Sequence, residues 1–507
     1  MDWMVWHGIY RRYACAKLGN IQTQIKMNRL AQLDHAHVWH PFTQMRDWLR
    51  REPVVIAGGK GAVLRDVKGR EYLDANSSIW TNLHGHRHPK INAAITRQLK
   101  KISHSSALGF ANEPAGLLAE KLVTAADPES NRLGKVFFSD DGSTALEVAL
   151  KLAHQYTLRT RGNKTKPKIL SLDGAYHGDT IGAVSLGHID LFHQAYSGML
   201  FPTDKVMSPY CYRCPFNRAK PERNDARKYR KCHWECVGKV EQKFSAQKKK
   251  GNPYAAFVFE PLMQGAAGMI PQPSGWLGQV TDIARSHGAL LIADEVMTGF
   301  GRTGVTCHVD DKMIADVIKQ PATAKLFATS RVGIVPDFLC VAKGLTGGYL
   351  PMAATLTTQK VFDAFLGKYE EFKTFFHGHS FTGNQLGAAA AIASLEILQS
   401  AGSVRARAQL QKQMHEELQS LWSLPNVGDI RQVGLVAGIE LVKDWRTRQP
   451  FAPRERAGIR VCEAMAKRGV LTRPVGNVIV IMPPYCTTKT QMQTIASALW
   501  EAVKKTL

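Results

Sequence analysis

Five near-continuous apolar runs constrain this chain more than any other feature. They are Lys-Val-Phe-Phe at 135–138, Ile-Leu-Ser-Leu at 169–172, Ala-Ala-Phe-Val-Phe at 255–259, Ala-Leu-Leu-Ile-Ala at 289–293 and Phe-Leu-Cys-Val-Ala at 338–342, with helical segments such as 276–287 between them. Runs of this kind bury both faces of a strand, which predicts an α/β fold with a parallel sheet covered by helices on either side. In such sheets ligands bind beyond the carboxyl ends of the strands. Here those ends are loaded with polar groups.

The first run ends in Ser-Asp-Asp-Gly-Ser-Thr at 139–144 and passes into a helix, so Gly142 and Ser143 stand at a helix amino terminus. Free N–H groups and the helix dipole make that a phosphate site, although a serine or threonine helix cap reads the same way. The second run leads to Tyr176, His177 and Asp179, an aromatic, an imidazole and a carboxylate able to stack on and hydrogen-bond a planar heterocycle. The third delivers Glu260, the fourth Asp294 and Glu295, and the fifth Lys343 followed by glycines. A lysine drawn out of water loses protons more readily, and its neutral amine attacks carbonyls. An adduct of that kind needs an electron sink, and a carboxylate at Asp294 beside a pyridine nitrogen supplies one, as pyridoxal phosphate chemistry requires. Asp294 taken alone reads equally as a loop cap.

The chain has 507 residues, of which 44% are hydrophobic, enough for a large core in two subdomains. No apolar run reaches membrane-spanning length, which predicts a soluble protein. The formal charge of +24 invites nucleic acid or an anionic surface as partner. Much of the surplus is local, with a net excess of about ten positive charges in 205–250. A solvated basic insert is therefore expected there, with small-molecule partners rather than nucleic acid or membrane. Nine scattered cysteines fit a reducing compartment. Residues 1–26 read as an N-terminal extension, either a transit peptide, which would make the protein mitochondrial, or an upstream extension of the reading frame.

Residues 38–45 read as an aromatic loop and 54–73 as short antiparallel strands. His84, His86 and His88 have a metal-like spacing, but no acid or cysteine lies near them in sequence, and a loop before a helix is the expectation. Within the basic segment, Cys211 with Cys214 and Cys232 with Cys236 suit a tetrahedral zinc site, with His233 as a spare ligand; the alternative is reduced cysteines in a surface loop.

Taken together, Glu260-Pro, Ala-Asp-Glu at 293–295, Gly-Phe-Gly-Arg-Thr-Gly at 299–304 and Lys-Gly-Leu-Thr-Gly-Gly at 343–348 resemble the class III aminotransferases, pyridoxal phosphate enzymes of fold type I. Trp-His-Pro-Phe-Thr at 39–43, Gly-Ala-Tyr-His-Gly-Asp-Thr at 174–180, Phe-His-Gly-His-Ser at 376–380, Thr-Arg-Pro at 472–474 and Met-Pro-Pro-Tyr at 482–485 are similar to the branch that aminates 8-amino-7-oxononanoate in biotin synthesis. The likeness runs from about residue 27 to the carboxyl end, broken by inserts at about 205–250 and 311–331.

The resemblance implies a cytoplasmic homodimer. Its large cofactor domain would span 77–400, and a small domain would be built from 27–76 and 401–507. It also implies roles: Lys343 bonds the cofactor and moves the proton, Asp294 pairs with the ring nitrogen, and Glu260 lies beside it. Gly142, Ser143 and, across the dimer interface, Ser380 hold the phosphate, while Tyr176 stacks on the ring. Phe42, Trp80, Tyr176 and Gly378 line the substrate side, and Arg473 takes the acceptor's carboxylate in a bidentate grip. Phe42 and Val480 depart from the usual family pattern near the donor. The implied amino donor is therefore S-adenosylmethionine or L-lysine, and the alternative activity is that of another class III ω-amino acid or diamine transaminase.

Overall fold

The computed structural model describes residues 27–130, 132–162, 165–306 and 310–507; the reading of 1–26 lies outside them. The chain divides into two compact units, residues up to 58 with 65–71, and 59–64 with 72–507. Among the described residues no helix is long and apolar enough to cross a membrane.

In the first unit, Asn28 caps the helix Arg29–His37 by accepting from the Ala31 N–H. Asp34 on that helix collects His40 Nε2 at 2.9 Å and the Trp48 indole N–H at 2.8 Å. Phe42 sits in the intervening loop with φ at +48° and 60% of its surface exposed.

The second unit is built on a seven-stranded sheet. From edge to edge its strands are Leu133–Ser139, Ala353–Thr358, Phe338–Val341, Leu290–Asp294, Ala256–Phe259, Ile169–Leu172 and Asp204–Val206. Leu290–Asp294 is parallel to both neighbours, with Asp294 opposite Cys340 on one side and Ala293 opposite Phe259 on the other. Only Ala353–Thr358 runs antiparallel to its neighbours. Ala256–Phe259 and Phe338–Val341 are buried at every position, and Leu290–Asp294 between them at every position but Leu290, as their unbroken apolar runs require. Helix Trp276–Ser286 buries Trp276, Leu277, Val280, Thr281 and Ala284 at helical spacing, so one face meets the core and the other meets water.

A second, antiparallel sheet contains Val427–Val433, Val436–Asp444, Val478–Ile481 and Pro474–Val475. Strand Glu71–Asp74 adds a parallel pairing, Leu73 opposite Val470 and Asp74 opposite Leu471.

The basic segment differs from the solvated insert expected of it. Helix Glu235–Lys249 in the basic segment sends Val240 and Phe244 into the main core. Ahead of it, Tyr210 and Arg213 reach Glu440 on the second sheet, and Arg223 donates to the carbonyls of Val427 and Leu424. Glu440 also holds Arg431 at 2.6 Å, and these guanidinium groups more than offset the burial that opposes its charge. Asp429 has one buried oxygen without a hydrogen-bond partner, and burial pushes its carboxyl up to about 7 despite Arg431. The second insert forms helix Asp311–Lys319, whose Ile314 packs with Val305, Val404 and Ala408. Charge alone could not show this docking, because the apolar residues that anchor each insert are few.

Candidate active site

Beyond the carboxyl ends of the parallel strands lies a cavity of about 410 Å³. Trp80, Asp141, Gly142, Ser143, Tyr176, His177, Asp179, Thr180, Glu260, Asp294 and Lys343 all line it. Seven of the residues expected at the site therefore converge: Trp80, Gly142, Ser143, Tyr176, Glu260, Asp294 and Lys343.

Lys343 stands two residues past its strand and takes a positive φ of 44°, outside the region most side chains prefer. Part of the residue stays open to the cavity, but its ammonium is desolvated. That desolvation lowers its pKa against the opposing pull of Asp294 and Glu260. Its Nζ stands 4.8 Å from the centre of the Trp80 ring. Trp80 arrives by an unusual route, since Ser77, Ser78, Ile79 and Trp80 have φ of 46°, 48°, 62° and 69°. A left-handed conformation costs L residues roughly 1–2 kcal/mol each, so the surroundings must hold this turn in place.

Asp294 ends its strand 5% exposed. Its Oδ1 accepts from the Val296 N–H at 3.0 Å, and its Oδ2 lies 2.7 Å from His177 Nδ1. Burial works against charge on His177, yet the Asp294 carboxylate holds its imidazole above the ordinary histidine range. Glu260 is likewise buried, and burial pushes it up to about 7. It receives the Gly265 N–H at 2.7 Å and the Tyr176 N–H at 3.4 Å, tying the tyrosine loop to the turn that follows its own strand. The Tyr176 hydroxyl donates to Asp179 at 2.9 Å; burial first, and then Asp179, raise its pKa.

At the far end of the cavity, helix Gly142–Arg161 begins with a capping box in which Asp141 accepts from the Thr144 N–H. Gly142 and Ser143 face the cavity from the same first turn. A Cβ on Gly142 would stand 2.6 Å from Val296, so glycine lets that backbone come close. Ser143 Oγ lies 2.7 Å from Thr180 Oγ1, and Thr180 in turn donates to Glu147 at 2.5 Å. Thr180 was missing from the predicted site, and His177 was expected to meet the planar heterocycle rather than Asp294. His177 stood in the aromatic turn already singled out, but only the folded chain shows that its ring meets Asp294. Thr180 could have been sought as a second hydroxyl near the phosphate end.

The remaining candidates lie elsewhere. Gly378 and Ser380 are exposed and do not line the cavity; the Ser380 carbonyl accepts from His104 Nε2 at 2.7 Å. Arg473 is exposed, two residues beyond strand Val470–Leu471. Val480 is buried in a cluster with Met297 and Met482, against which Trp80 packs. Phe42 belongs to the other compact unit.

The zinc expectation is corrected. Cys211, Cys214, Cys232 and Cys236 do line one small cavity of about 10 Å³. However, no group of three or more His, Cys, Asp or Glu among the described residues is arranged to hold a metal ion. Burial raises Cys211 to about 12 and Cys236 to about 11. The histidine run is no metal site either: His84 bonds Ser394 at 2.9 Å, and His86 bonds Asp74 at 3.1 Å.

A helix terminus for a phosphate, a carboxylate backed by an imidazole for a ring nitrogen, an aromatic wall and a desolvated lysine form the donor set that pyridoxal phosphate needs. The family model for aminotransferase class-III matches residues 46–321 and 313–503. The chain is 46% identical over 476 residues to an adenosylmethionine-8-amino-7-oxononanoate aminotransferase from Nitratidesulfovibrio vulgaris, covering 94% of this chain and 81% of that one. It is 44% identical to the protein of the same name from Geobacter sulfurreducens, covering 94% and 97%. Its fold is similar to the crystal structure of the Methanocaldococcus jannaschii protein of that name, with a TM-score of 0.82, 38% identity and coverage of 94% and 98%. It is also similar to an amine transaminase from an uncultivated Pseudomonas species in its PLP-bound form, with a TM-score of 0.80, 31% identity and coverage of 92% and 98%.

Proposed function

This chain belongs to the class III aminotransferases, and on that premise we propose that it transfers an amino group to 8-amino-7-oxononanoate, giving 7,8-diaminononanoate for biotin synthesis. The observation that carries the reading is the convergence of Lys343, Asp294, Tyr176 and the Gly142–Ser143 turn on one cavity. The names of the curated relatives support the substrate.

Pyridoxal phosphate, when bound, supplies an aldehyde that takes up the donor's amine and a ring that accepts electron density. Gly142, Ser143 and Thr180 would hold its phosphate, with Ser380 of a second copy of the chain completing the grip in a homodimer. Asp294, oriented by His177, would pair with the ring nitrogen, and Tyr176 would stack on the ring. Lys343 Nζ holds the cofactor and carries the proton to and from the substrate carbon, and its lowered pKa keeps a neutral amine within reach for that work. Trp80 shields this amine from water on its open side. Arg473 receives the acceptor's carboxylate as a bidentate pair. S-adenosylmethionine, carried in the names of the curated relatives, is one candidate donor, and Phe42 with the Gly378-His-Ser form points to L-lysine as the other, with the cytoplasm as the place of action.

The test incubates purified protein with pyridoxal phosphate and 8-amino-7-oxononanoate and offers S-adenosylmethionine or lysine. Diaminononanoate formed from one of the two is the expected result. Absence of product with both overturns the acceptor.

A further inference from the structure

The left-handed turn Ser77, Ser78, Ile79 and Trp80 contains no glycine, and its Ile79 is β-branched, the residue type that tolerates positive φ least. Backbone bonds close it, Trp80 N–H to the Asn76 carbonyl and Thr81 N–H to the Ser77 carbonyl. The surroundings that hold it can be named. Asp74 is 3% exposed; its Oδ1 accepts from the Ser78 N–H at 2.9 Å and its Oδ2 from the Ser78 hydroxyl at 2.8 Å. His86 Nε2 lies 3.1 Å from the same Oδ2. At the start of the turn the Ser77 hydroxyl donates to the Met482 carbonyl at 2.7 Å.

The turn delivers the Trp80 ring to Lys343, and glycine at 265 leaves room beside the ring. A Cβ on Gly265 would stand 3.3 Å from Trp80 Cζ3 and 2.6 Å from Met297 Sδ. Strand Glu71–Asp74 also pairs with Val470–Leu471, and the Ala75 N–H donates to the Leu471 carbonyl at 3.0 Å. One pair of strands thus sets out both Trp80 and, two residues past Leu471, Arg473.

We propose that Asp74 is a positioning residue for the substrate side of the cavity: its carboxylate keeps the 77–80 turn left-handed, and the turn fixes the wall against which the acceptor's chain lies. This rests on the reading of the cavity as the aminotransferase site. Asp74 itself touches neither cofactor nor substrate.

The experiment uses the full-length, cofactor-loaded protein. Asp74→Asn keeps the shape but cannot accept from all three donors, and it is expected to raise the acceptor KM about tenfold with kcat within about twofold. Adding Ile79→Gly to Asp74→Asn restores KM to within about threefold of the unaltered protein, because glycine takes a positive φ without crowding. If Asp74→Asn fails to fold, Ser78→Ala, which removes one hydroxyl from the same contact, shifts KM in the same direction by less and is rescued by the same glycine. The visible circular dichroism of bound cofactor follows Trp80 with no substrate present, falling with Asp74→Asn and recovering with the glycine. That readout separates the two ideas. Unaltered protein that never aminates 8-amino-7-oxononanoate overturns the proposed function. Variants that leave KM and dichroism unchanged, or that lose both with no recovery on adding glycine, overturn the role of Asp74.

Discussion

His177 Nδ1 and Asp294 Oδ2 lie 2.7 Å apart, both side chains buried, Asp294 closing one strand and His177 in the loop that follows another strand of the same sheet. The contact aims the Asp294 carboxylate, and among the described residues the imidazole Nε2 makes no hydrogen bond. Replacing His177 with Phe removes a hydrogen bond to a charged group, worth about 1.5–3 kcal/mol, so kcat/KM should fall roughly 10- to 150-fold. Steady-state kinetics at saturating cofactor checks this, and an unchanged kcat/KM would show that Asp294 needs no orienting partner.

Lys343→Ala should leave a folded protein to which borohydride no longer fixes the cofactor, with kcat down by more than about 100-fold. Mass spectrometry of the reduced protein reads the outcome. A cofactor still attached at this site would remove Lys343 from its role.

Glu295 accepts from the Ala328 N–H at 2.6 Å and from the Thr329 N–H and hydroxyl, yet burial pushes its carboxyl up to about 7. The folded state therefore holds this proton more tightly than the unfolded chain does. Its contribution to stability falls as pH rises from the ordinary carboxyl range through about 7 and is level above that. Urea unfolding at pH 5 and pH 8 should show a smaller loss for Glu295→Gln than for the unaltered protein, by up to about 3 kcal/mol. Equal losses would mean that Glu295 titrates normally.

Arg473→Gln should raise the acceptor KM by roughly 10- to 150-fold, the worth of a charge-assisted pair, while the donor half-reaction stays near its original rate. Measuring each half-reaction alone separates the two. A slowed donor step with the acceptor unaffected would move Arg473 to the donor's side.

Much of the site was legible because strand ends are written locally. An apolar run that stops at Asp294 or Lys343 names both the strand and the residue it presents. The sheet could be read for the same reason. What could not be read depends on contacts between segments distant in sequence. His177 meets Asp294 across 117 positions, and Tyr210 meets Glu440 across 230. The turn at 77–80 was hidden differently, since nothing in Ser-Ser-Ile-Trp signals positive φ, and its bonds to Asp74 and Met482 come from outside the turn. The cysteine spacing suited zinc, but spacing says nothing of whether the thiols are oriented to bind one ion.

The docking of the basic segment has a consequence for how the protein comes apart. Arg213, Arg223 and Arg227 have their guanidinium groups committed to Glu440, to the Val427 and Leu424 carbonyls, and to Asp225 and the Gln432 carbonyl. Trypsin must seat an arginine side chain in its own pocket before it cuts, so these bonds stay closed to it until the segment lifts from the sheet. Nicking at these three arginines therefore marks the moment of undocking, and its rate is a clock for the stability of that face.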